Sequence, residues 1–76
     1  MTVIDYASEI FAFIEVTYGE NILNQIKEKK NYQTVDRIIE DSVTRDYPID
    51  KTAHKIMAML RIVPWVNNQN KRKKYN

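Results

Sequence analysis

The chain has no cysteine, one glycine, two prolines, one tryptophan and one histidine among its 76 residues. Without cysteine there is no disulfide, and the thiolate ligands of the common structural zinc sites are missing too. Apolar packing must therefore hold the fold, in a domain so small that it buries only about 60% of its unfolded-chain surface. One glycine is too few for a phosphate-cradling loop. The lone histidine, His54, lies between Ala53 and Lys55 and reads as a surface residue on a basic helix face, not as the base of a catalytic triad. The acidic pairs Asp5/Glu9 and Glu40/Asp41 lack the dense oxygen-rich loop of a hard-cation site. These absences predict a protein that is not an enzyme, with no metal, no cofactor and no small-molecule substrate.

Membrane and export signals are missing as well. No continuous apolar run reaches the roughly 18 residues needed to span a bilayer. The first residues, Met1-Thr2-Val3-Ile4-Asp5, lack the positive start of a secretory leader. The expectation is a soluble protein of the cytoplasm, and the lack of cysteine agrees with a reducing compartment.

What the chain does have is helical periodicity. On a 3.6-residue period, Val3, Ala7, Ile10, Ile14 and Tyr18 fall on one line, flanked by Ile4, Tyr6, Phe11 and Phe13. Thr2 is placed to cap this helix, and Gly19 to end it. A second helix is predicted from Glu20 or Asn21 to about Lys30, with Ile22, Leu23 and Ile26 inward and Asn31 as its C-cap. A third begins after Thr34 as N-cap. It turns Val35, Ile38, Ile39, Ser42 and Val43 to the core and ends near Asp46, because Pro48 disfavours helical geometry at Tyr47. A fourth runs from Lys51 to Val63 behind Asp50 as cap and stops at Pro64. Its inner face is Ala53, Ile56, Met57, Met59, Leu60 and Val63, with Ile62 stranded on the basic side. There is no strand-like alternation and no internal repeat. The sequence thus predicts an all-α protein: a small compact bundle of about four helices over residues 1–66 and a flexible basic tail over 67–76, with Trp65 and Val66 folded back over the core.

Charge is unevenly spread. Residues 1–26 hold four acids and no Lys or Arg, while residues 27–76 hold all twelve cations and six acids. Asp50 is the last acid. After it come Lys51, Lys55, Arg61, Lys71, Arg72, Lys73 and Lys74. Clustered cations neutralise phosphates and release counterions, and aromatic rings such as Trp65 and Tyr75 stack on exposed bases. These nine residues are the predicted nucleic-acid site, for DNA or RNA. Gln33 to Ile39 also looks like the start of a recognition helix, but Gln25, Lys29 and Lys30 stand where a helix-turn-helix wants small, glycine and apolar residues. Attachment to an anionic membrane is disfavoured, since the tail has no Leu/Phe face and no lipidation signal.

The alternative is a protein-binding adaptor, inhibitor or small subunit. The first helix is apolar over about half its circumference, more than the ~100° a one-sided surface helix needs, and an exposed apolar patch marks an interface. Ile4, Tyr6, Ile10, Phe11 and Phe13 are the predicted contacts, either with a larger partner or with a second copy in a homodimer.

Overall fold

In the computed structural model, residues 2–62 are described, and they are all-α. Four α-helices follow one another: α1 (Val3–Tyr18), α2 (Glu20–Ile26), α3 (Tyr32–Thr44) and α4 (Ile49–Met59), with a 3-10 turn at Lys29–Asn31. The bounds of α1 are those the periodicity predicts. Thr2 is its N-cap, with the hydroxyl oxygen accepting from the Asp5 N–H at 3.1 Å, which satisfies one of the orphan donors of the first turn. Among the described residues no helix is long and apolar enough to cross a membrane. The tail expected over 67–76, and the latch expected of Trp65 and Val66, lie outside the described residues.

The first helix is the centre of the bundle, packing against α2, α3 and α4, while α3 also packs on α4. Its buried residues are Tyr6, Ile10 and Ile14. They meet Leu23 and Ile26 of α2, Val35, Ile38 and Ile39 of α3, and Ala53, Ile56 and Met57 of α4 in one continuous core. Each such isoleucine removed from water contributes about 1.5–3 kcal/mol before the entropy of ordering is counted.

Helix ends depart from the sequence reading, and each departure has a local cause. The second helix stops at Ile26, not near Lys30, because Glu28 takes an extended conformation (φ −61°, ψ 143°). Asn31 then reaches back, its side-chain amide donating to the Gln25 carbonyl at 2.9 Å. The third helix starts at Tyr32, so Thr34 lies in its first turn and is not its cap. The fourth starts after Pro48, which places Asp50 in the first turn, where its carboxylate accepts the Lys51 N–H at 2.9 Å.

Two helices end in the same way, without glycine. After α3, Asp46 has φ 58°; after α4, Arg61 has φ 60°. The Asp46 N–H donates to the Val43 carbonyl and the Tyr47 N–H to the Ser42 carbonyl, while Arg61 donates to Ala58 and Ile62 to Met57. This doubled pattern is the Schellman motif, in which a left-handed residue lets its own N–H and that of the following residue satisfy orphan carbonyls. It also corrects the fourth helix: α4 ends at Met59, four residues before the predicted end at Val63, and the chain turns at Arg61. Ile62, expected on the basic side, is folded inward beside Met57 and buried. Met59, expected inward, is 60% exposed.

Candidate nucleic-acid interface

The outer flank of α4 is built by its period. Thr52, Ala53, Ile56 and Met57 are buried, so Lys51, His54, Lys55 and Ala58 face solvent. Lys51 and Lys55 stand one turn apart, about 6 Å along the axis. Arg61 is exposed just past the last turn, where a cation is favoured by the negative end of the helix dipole.

None of these three cations has a carboxylate within ion-pairing distance among the described residues. The one salt bridge there joins Arg45 to Asp41 at 3.1 Å, within the exposed face of α3. The hydrogen bond that the Arg45 guanidinium donates to the Asp41 carboxylate, with a smaller contribution from Tyr47, raises the Arg45 pKa above its ordinary value. Arg37 and Asp41, also spaced i,i+4 on α3, do not pair within 4.0 Å. The exposed face of α3 thus mixes Asp36, Glu40 and Asp41 with Arg37 and Arg45, which suits phosphate poorly. The flank of α4 carries a single acid, Asp50, whose carboxylate is turned to the Lys51 N–H.

Aromatic rings border the flank, in contacts that the sequence reading did not foresee. The Lys51 ammonium lies 4.5 Å from the centroid of the Tyr47 ring, within cation-π range. His54 is bound through its Nε2 to the Tyr18 hydroxyl at 2.6 Å. Phe13, Tyr18 and His54 form three mutual edge-to-face contacts with centroids 6.0–6.4 Å apart. No sequence spacing announces this cluster, since Tyr18 and His54 are 36 residues apart.

Of the predicted polyanion contacts, the structure places Lys51, Lys55 and Arg61 at the surface of one helix and its end. Trp65, Lys71, Arg72, Lys73, Lys74 and Tyr75 lie outside the described residues. Of the predicted protein contacts, Tyr6 and Ile10 are core residues with 4% and 0% exposure and present no surface to a partner. Phe11 and Phe13 are half-buried, and Ile4 is 78% exposed. Among the described residues no three His, Asp or Glu side chains stand together so as to hold a metal ion. No protein-family model, curated protein or solved structure matches this chain.

Proposed function

We propose that the chain is a non-catalytic accessory protein of the cytoplasm that contacts nucleic acid, DNA or RNA, through the outer flank of α4 and the cations that follow it. The observation that supports this reading is the state of Lys51, Lys55 and Arg61: three exposed cations with no carboxylate partner among the described residues, on α4 and just past its end, in the part of the chain that leads toward Lys71, Arg72, Lys73 and Lys74. Neutralised cations would leave no long-range attraction for phosphate, whereas unneutralised ones release condensed counterions on binding. Trp65 and Tyr75 supply rings of the kind that stack on unpaired bases.

The test is the salt dependence of binding to labelled single-stranded and duplex oligonucleotides. Log affinity falls linearly with log salt, and changing Lys51, Lys55 and Arg61 together to Gln lowers the slope by roughly 2 to 3, the value for three lost phosphate contacts. All three side chains are exposed, so the variant keeps its helical circular dichroism. An unchanged slope in the triple variant would remove α4 from the interface.

A further inference from the structure

Between α1 and α3, where the end of α2 meets them, the surface opens into a groove of about 410 Å³. Its floor is apolar and already ordered: Ile26, Val35 and Ile39 are all buried. Its lips carry large apolar side chains that folding leaves in water, with Val3 43%, Ile4 78% and Tyr32 65% exposed. The α3 wall adds Asp36 and Glu40, one turn apart, neither of them within 4.0 Å of a cation among the described residues. The cation that lines the groove, Lys27, has its ammonium 5.7 Å from the Phe11 ring centroid.

We propose that this groove receives an amphipathic helix of a partner protein, apolar side chains down and two Lys or Arg residues, one turn apart, against Asp36 and Glu40. Three features select that occupant. The walls run from Val3 to Phe11 and from Tyr32 to Glu40, each about 12 Å of helix axis, the length over which anchors at i, i+3, i+4 and i+7 engage a groove. The carboxylates repeat at i,i+4, which a helix lying along α3 matches with cations at the same spacing. Two unneutralised acids repel phosphate, which separates this surface from the flank of α4 and makes the inference independent of the polyanion reading.

The probe is a labelled synthetic helical peptide of about four turns, with Leu at i, i+3, i+4 and i+7 and Lys at two flanking positions one turn apart. A second peptide carries Glu at those two positions. With the full chain, the Lys peptide binds and the Glu peptide binds about tenfold more weakly or worse, since like charges at a rim oppose docking. Asp36→Lys with Glu40→Lys reverses the preference. Ile4→Glu weakens the Lys peptide by about tenfold while the helical circular dichroism is unchanged, because this side chain contributes little to the chain's own core. Equal binding of the two peptides, no binding of either, or a preference that survives the double variant would overturn the proposal. So would self-association of the chain that Ile4→Glu abolishes, which assigns the groove to a second copy. Oligonucleotide binding unchanged by Ile4→Glu separates these outcomes from any failure at α4.

Discussion

Tyr6 shows how one side chain ties the bundle together. Its hydroxyl lies 2.7 Å from the Tyr47 carbonyl and 2.7 Å from the Thr52 hydroxyl. A carbonyl only accepts, so Tyr6 donates its one proton to Tyr47 and accepts from Thr52, which is itself fully buried. This clamps the α3–α4 connection and the first turn of α4 onto α1. Ser42 is the opposite case: its hydroxyl is buried and has no hydrogen-bond partner among the described residues. Opposite signs follow for two small deletions. Tyr6→Phe lowers unfolding stability by about 1–3 kcal/mol, because Thr52 loses its acceptor and the Tyr47 carbonyl its donor. Ser42→Ala raises it by about 1 kcal/mol, since an unsatisfied hydroxyl leaves the core and a better helix former replaces it. In a domain of this size 1 kcal/mol moves Tm by about 4–8 °C, so thermal unfolding followed by circular dichroism resolves both.

Among the elements, the centres of the helices were legible in the sequence and several of their ends were not. Periodicity found the inward faces of α1 and α3 because a 3.6-residue repeat leaves Ile10, Ile14, Val35, Ile38 and Ile39 no other way to be buried together. Thr2 and Gly19 worked as punctuation for reasons that are local: a hydroxyl at an N-cap, and a backbone at φ 101°, ψ 163° that only glycine adopts readily. The ends at Asp46 and Arg61 carry no such marker, since both are left-handed without being glycine. The surrounding core over-determines them, through Tyr47 held by Tyr6 and Ile62 packed beside Met57. For the same reason the inversion of Met59 and Ile62 was invisible to a helical wheel, which assumes that the helix continues. The groove was illegible because it exists only where α1, α2 and α3 converge. Substitutions at the helix ends separate the two kinds of stop. Gly19→Ala costs about 1–3 kcal/mol of backbone strain, and since an added Cβ meets nothing within 4 Å, no packing change masks it. Asp46→Gly relieves a left-handed residue and gains about 1 kcal/mol. Urea midpoints shifted in opposite directions at a constant m-value are the expected result.

Across the whole molecule, charge is divided among surfaces, and the division does not follow the asymmetry along the sequence, since the groove's two acids, Asp36 and Glu40, come from the cationic stretch. Among the described residues, the flank of α4 gathers cations without carboxylate partners, the face of α3 carries its own salt bridge, and the groove beside α1 joins exposed apolar lips to two acids outside any salt bridge. Under the two proposals above, this partition keeps polyanion attraction apart from apolar docking on one small domain. The most direct test is an amide-resolved NMR titration of the full chain with a short oligonucleotide at low and at higher salt. The account predicts shifts concentrated at and around Lys51, Lys55 and Arg61, shrinking as salt is added, with Ile4, Asp36 and Glu40 undisturbed. Shifts centred on α3 and the groove, or a silent α4 at low salt while the oligonucleotide is bound, would contradict it.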